Sequence, residues 1–161
     1  MFPQLGFAGQ ARELAGLFTQ SCLPFSGHPG ALRRWTADQR LPLVPDPARK
    51  TFLGEAEGQV FDGSNAAGKF VLISADDGRC TVVTDRSADR ETTEALGRAL
   101  RDAGVTLRLV GEHTNGSRGE LHEREYLAVR RNRAWRIQLR TASDGREGRA
   151  AVSAVPSSPS Q

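Results

Sequence analysis

Two β-branched runs separated by an Asp-Gly pair constrain this chain more than any other feature of it. Lys69-Phe70-Val71-Leu72-Ile73-Ser74-Ala75 is followed by Asp76-Asp77-Gly78-Arg79 and then by Cys80-Thr81-Val82-Val83-Thr84. An Asp-Gly pair supplies the positive φ that a tight hairpin turn demands, and β-branched flanks suit a pleated, half-buried surface. With Asp77-Gly78 as a two-residue turn, Ala75 stands opposite Cys80 and Ile73 opposite Val82. Side chains alternate across a strand, so Val71, Ile73, Ala75, Cys80 and Val82 are expected on one core-facing side.

That placement bears on the two cysteines, Cys22 and Cys80. Phe7, Ala11, Leu14, Phe18 and Cys22 recur at steps of four or three and predict a helix over about residues 9–22 with Cys22 on its apolar stripe. Two core-facing cysteines on adjacent layers can be buried free thiols or a bridge. The expectation is a Cys22–Cys80 disulfide, which implies an oxidising compartment. It would close a loop of about 59 residues, worth on the order of 4 kcal/mol in the chain-entropy account. Neither cysteine lies in a C-x-x-C pattern.

The remaining elements follow from periodicity and punctuation. A second helix is expected over about 29–37, with Pro29 in its first turn and Leu32 and Trp35 on one face. Pro42, Pro45 and Pro47 exclude a helix or central strand across Leu41–Pro47, which reads as an extended surface crossing. Residues 58–63 read as a short strand and 89–103 as a helix capped by Asp89 or Ser87, with an apolar stripe of Leu96, Ala99, Leu100 and Ala103 and a Gly104 stop. Strands are expected over 105–112 and 120–130 with a tight Asn115-Gly116 turn, then over 134–141 with Trp135, Ile137 and Leu139 inward and Arg136, Gln138 and Arg140 outward. From about residue 143 the chain turns Ser/Pro/Ala-rich, a composition that predicts disorder. The expectation is therefore one α+β domain over 1–142 in the order ααβββαβββ, then a disordered tail over 143–161. Its antiparallel sheet would hold five or six strands, with one central helix and the N-terminal helical pair packed on it.

Composition narrows function by exclusion. Hydrophobic residues at 38% and charged residues at 25% are ordinary for a globular protein. No stretch reaches the roughly 18 apolar residues of a membrane helix. The N-terminus lacks a signal-peptide pattern, so either the protein is cytosolic or a signal peptide has been removed. A net charge of +3 is too small to demand nucleic acid.

Chemistry-bearing clusters are sparse. His113 and His122 invite a metal reading, but a tight Asn115-Gly116 turn would set them about 13 Å apart along the ladder, too far for joint ligation. Glu123 and Glu125 are expected opposite Arg140 and Gln138 as cross-strand pairs. Asn115-Gly116-Ser117 matches a glycosylation sequon but reads better as turn chemistry. The one concentrated basic feature is Arg130, Arg131, Arg133, Arg136 and Arg140 around an Arg131-Asn132 turn. It is either a solvated hairpin tip or a contact for an acidic protein, a phospholipid headgroup or a nucleic-acid backbone. Nucleic acid is the least favoured, because Tyr126 and Trp135 fall on the buried parity and cannot stack on bases. No catalytic triad, P-loop or dinucleotide fingerprint is present, and no metal or cofactor is expected.

Phe18-x-x-x-Cys22 in a first helix, a strand through Gly78-Arg79-Cys80, and a helix of about 15 residues after it together resemble small exported proteobacterial proteins of unknown function. The resemblance spans about residues 10–140. It implies export with a removed signal peptide, and it carries no catalytic residues across. The functional expectation is a periplasmic or secreted, non-enzymatic binding or accessory protein of the cell envelope (inhibitor, immunity or assembly-factor type) with a protein partner. An envelope enzyme and a cytosolic nucleic-acid binder are the alternatives.

Overall fold

The computed structural model describes residues 7–116, 119–143 and 147–157. The helices are α1 (Phe7–Gln20), α2 (Cys22–Phe25), α3 (Pro29–Asp38), α4 (Ala48–Leu53) and α5 (Asp89–Asp102). The strands are β1 (Gly58–Asp62), β2 (Phe70–Ala75), β3 (Cys80–Ala88), β4 (Thr106–Asn115), β5 (Leu121–Arg130), β6 (Arg133–Ala142) and β7 (Glu147–Ser157). They build a seven-stranded antiparallel sheet in the order β1-β2-β3-β7-β6-β5-β4. The chain meanders through β1–β3, crosses by α5 to the far edge, and meanders back until β7 fills the place between β3 and β6.

Amphipathic periodicity explains why the helices settle where they do. Ala11, Leu14, Ala15 and Phe18 of α1 and Thr92, Leu96 and Leu100 of α5 are buried, and the two helices pack on each other and on the sheet's inner face. That face contributes Leu72, Val82, Trp135, Ile137, Leu139 and Val152 to the core. Each such large apolar side chain contributes roughly 1.5–3 kcal/mol through burial. The inward alternation expected for β6 is present, with Arg136 and Arg140 exposed.

One corner is stapled three ways. Cys22 and Cys80 form a disulfide, their Cα atoms 5.2 Å apart. Gly27 N–H donates to Gly78 O at 2.8 Å. Arg33 on α3 donates to Ser74 O at 2.9 Å and to the Asp76 carboxylate at 2.6 Å. A Cβ on Gly78 would meet Gly27 Cα at 2.9 Å, so this close approach requires glycine there.

Four expectations about these elements, besides the width of the β4–β5 turn, need correction. The first concerns the β2–β3 hairpin, which turns through three residues, Asp76–Gly78. Gly78 N–H bonds Ala75 O, Ala75 N–H bonds Arg79 O, and Gly78 takes φ +100. This longer loop pairs Ser74 with Cys80 and Leu72 with Val82. A one-residue slip exchanges faces, so Phe70, Leu72 and Ser74 join Cys80 and Val82 in the interior while Val71 and Ile73 turn outward and are half-buried.

The second is the tail. Residues 147–157 form β7, an interior strand, with Ala150, Val152 and Ala154 buried. Their composition suggests disorder, yet period-2 alternation of small residues suffices where two neighbouring strands supply the hydrogen bonds. The sheet gains a strand beyond the expected count, and residues 144–146 and 158–161 of the expected tail lie outside the described residues.

The third is the cap of α5, where Ala88 occupies the N-cap position without a side-chain bond. Asp89 instead turns to the sheet. The fourth is the crossing region, whose C-terminal flank contains α4. The crossing itself lies along β1: Leu43 bridges Phe61, Val44 N–H donates to Val60 O, and Asp62 N–H donates to Pro42 O, both at 2.8 Å.

Candidate functional site

The five arginines of the β5–β6 hairpin do not form one patch. Alternation sends Arg130 and Arg133, the last pair of the ladder, to the inner face. Their guanidiniums lie 5.7 Å and 4.9 Å from the centroid of the buried Trp135 ring. Arg130 donates to Ala103 O at 3.2 Å and Arg133 to Pro24 O at 3.4 Å, tying the hairpin end to α5 and α2. Arg131 sits exposed in the turn at φ +57. Arg136 and Arg140 lie on the outer face, paired with Glu125 and, at 3.2 Å, with Glu123. The cross-strand positions read from sequence, Glu123 opposite Arg140 and Glu125 opposite Gln138, are those observed.

The β4–β5 connection is wider than a two-residue turn, which changes the histidine geometry. His113 pairs with Glu123 across the ladder and His122 with Thr114. The two imidazoles therefore face opposite sides of the sheet. His113 Nε2 lies 2.9 Å from Glu123 Oε2 on the outer face, and His122 Nε2 lies 2.8 Å from Glu112 Oε1 on the inner. No group of three metal-ligating side chains occurs among the described residues.

On the inner side a polar network fastens α5. Arg124 grips Asp89 through both carboxylate oxygens, donates to Thr93 Oγ1 at 3.1 Å, and has Nε 3.4 Å from Glu112. Thr141 adds a bond to Asp89 at 2.5 Å. Burial by itself raises the Asp89 pKa and is the largest single influence on it. The bonds from Arg124 and Thr141, with the Arg124 charge, together hold it below the ordinary carboxylate value. Arg124 is correspondingly raised by its bond to Asp89. The donors and acceptors of this network satisfy one another, so it fixes the first turn of α5 to β5 and β6.

Strand β4 is different. It spans 10 residues and, among the described residues, pairs only with β5 and forms one edge of the sheet. A bulge between Leu109 and Gly111 inserts Val110 into its ladder. Leu109 and Val110 are 48% and 43% exposed, apolar side chains left in water on a strand with an unpaired edge. Sequence reading found the strand but could not tell that it ends the sheet, because edge position depends on where β7 returns.

The outer sheet face is the other open region. Helices α1 and α5 cover the inner face, whereas here α4 overhangs one side of a groove of about 470 Å³. The small side chains Thr81, Val83, Ala151 and Ser153 of the central strands form its floor, with Thr81 and Ser153 hydroxyls hydrogen-bonded at 2.7 Å. Thr51, Phe52 and Leu53 wall it on one side and Gln138 and Arg140 on the other. Nothing in the sequence announces this groove, since β7 supplies half of its floor. No family model, curated protein or solved structure matches the chain.

Proposed function

We propose that the protein is a non-enzymatic binding or accessory protein of the bacterial cell envelope, of the inhibitor, immunity or assembly-factor type, which takes up an extended segment of a partner protein along β4. The observation that carries this reading is the 10-residue edge strand, whose outer side has no partner among the described residues, with Leu109 and Val110 exposed on it. An added strand gains affinity from main-chain hydrogen bonds and specificity from alternate side chains. The partner segment this edge suits is extended and carries an apolar residue to cover Leu109 and Val110. Of the hairpin arginines, Arg131 is exposed in the turn, whereas Arg136 and Arg140 would have to exchange Glu125 and Glu123 for acidic residues of such a partner. The Cys22–Cys80 disulfide supports a periplasmic or secreted setting, because structural disulfides persist in oxidising compartments.

The test compares the native protein with Leu109→Lys/Val110→Lys as baits for the cell-envelope fraction. The expected result is a stoichiometric protein that binds the native chain and is lost from the double variant, while both baits keep the same melting temperature. A partner that binds both equally would move the contact away from β4, and turnover of an envelope substrate would replace this reading with an enzyme.

A further inference from the structure

The groove on the outer face has the chemistry of a ligand site, separate from the β4 edge. Its volume, about 470 Å³, falls within the few hundred to a thousand Å³ typical of small-molecule sites. A second depression of about 280 Å³ continues it past Arg79, Gln138, Arg140 and Ser153. Strand register explains the trough: Thr81 stands beside Ser153 and Val83 beside Ala151, so the two central strands present only short side chains. Longer side chains on the flanking elements rise around them. Ile73, Leu121 and Phe52 give the walls an apolar character.

The charges are unbalanced. Arg79, Arg140 and Arg149 line the groove against a single acid, Asp77. The Asp77 carboxylate is occupied in its own turn, accepting from Arg79 N–H at 2.9 Å. Arg140 shares Glu123 with His113. Among the described residues, Arg79 and Arg149 have no carboxylate within ion-pair reach, and the Arg149 guanidinium lies 5.6 Å from the centroid of the Phe52 ring. Arginine with free donors over an apolar trough suits a planar or tetrahedral anion bearing a hydrophobic body, since the guanidinium fork bonds carboxylate or phosphate oxygens in pairs.

We propose that this groove binds an amphiphilic anion, a molecule with one carboxylate or phosphate head held by Arg79 or Arg149 and an apolar body laid over Val83, Ala151 and Phe52. With the head on Arg79, two residues from Thr81, the Thr81–Ser153 hydroxyl pair offers it one further donor.

Titration with 8-anilinonaphthalene-1-sulfonate, an anionic aromatic amphiphile, tests it on the folded, oxidised protein. The expected result is saturable 1:1 binding with enhanced emission, displaced by dodecanoate or dodecyl phosphate but not by dodecyltrimethylammonium. Whichever of the two anions displaces at lower concentration identifies the head group. Arg79→Gln/Arg149→Gln should weaken the anionic probe at least tenfold and leave binding of neutral N-phenyl-1-naphthylamine unchanged. Ala151→Phe should block both probes, and Phe52→Ala serves as the second variant if the bulkier one fails to fold. Leu109→Lys/Val110→Lys should keep full probe binding, which separates this site from the β4 edge. Equal affinity in the arginine variant, displacement by the cationic detergent, displacement by inorganic phosphate alone, or loss of the probe in the β4 variant would each overturn the assignment.

Discussion

The two edges of the sheet are finished in opposite ways. At one edge β1 is five residues long, and the Leu41–Pro47 crossing lies against it, filling its hydrogen bonds at Val60 and Asp62. That crossing carries Pro42, Pro45 and Pro47, which offer no N–H to a further strand. Its Leu43 is 59% exposed but sits on a segment that cannot propagate the sheet. At the other edge β4 has twice the length, no covering segment among the described residues, and two apolar side chains in water. Proteins ordinarily blunt such edges with charge, proline or a cover. One edge is sealed with three prolines; the other carries a bulge and the exposed side chains of Arg108, Glu112 and His113 yet leaves Leu109 and Val110 in water, which is why the proposed contact is placed on β4.

The sealed half also holds the disulfide, and breaking it gives the largest expected effect. Cys22→Ser/Cys80→Ser should lose roughly 2–5 kcal/mol of unfolding free energy. Denaturant melts with and without reductant measure it: the native protein should fall to the variant's value on reduction, and the variant should not respond. A native protein indifferent to reductant would show that the bridge adds no stability.

Register gives effects of similar size and sharpens the contrast between faces. Leu72 is fully buried, so Leu72→Ala should cost roughly 2–5 kcal/mol. The outward Ile73→Ala should cost less than about half of that, reversing the order that a two-residue turn would give. On β6 the same pairing is Ile137→Ala, again roughly 2–5 kcal/mol, against Arg136→Ala within about 0.5 kcal/mol. Equal losses at Leu72 and Ile73 would contradict the three-residue turn.

These cases show what is legible in a sequence of this kind. The α5 and β6 patterns were readable because each is long, periodic and bounded by clear stops such as Gly104. The β2–β3 hairpin was readable as a hairpin, but its face depended on whether two or three residues form the loop, and Asp76-Asp77-Gly78 allows either. Strand β7 escapes a sequence reading because its alternation runs mostly through small alanine and serine side chains, and its place is decided by pairing with the distant β3 as well as with the neighbouring β6. Without β7 neither the groove floor nor the identity of the free edge could be derived. The hairpin arginines were visible as a run, whereas their division between two faces followed from parity and from the Trp135 ring that Arg130 and Arg133 cover.

Acid sharpens the other half of the molecule, where Asp89 and Arg124 tie α5 to β5. The folded Asp89 pKa is depressed, so its contribution to stability is complete above the unfolded aspartate value of about 3.9 and is lost as pH falls through the folded value. Asp89→Asn should therefore be less stable than the native protein by a constant margin above about pH 5, and the gap should narrow below about pH 3.9. Denaturant melts across that window measure it. A gap that persists unchanged into strong acid would mean that the Asp89 charge is not what holds the helix.

The smallest effect on folding should carry the largest functional consequence. Val44→Pro on the sealed edge removes the N–H that bonds Val60 O and should cost about 0.5–1.5 kcal/mol for the lost hydrogen bond. It should also free part of β1 for pairing. Leu109→Lys/Val110→Lys on the open edge exchanges exposed apolar side chains for charge and should stay within about 0.5 kcal/mol of native stability. The order for partner binding should be the reverse: undiminished in Val44→Pro, abolished in the β4 variant. Unfolding curves and partner titrations on the same two preparations test both orders together. If the β4 variant keeps its partner while Val44→Pro loses it, the covered edge is the binding surface and the contrast drawn between the two edges is inverted.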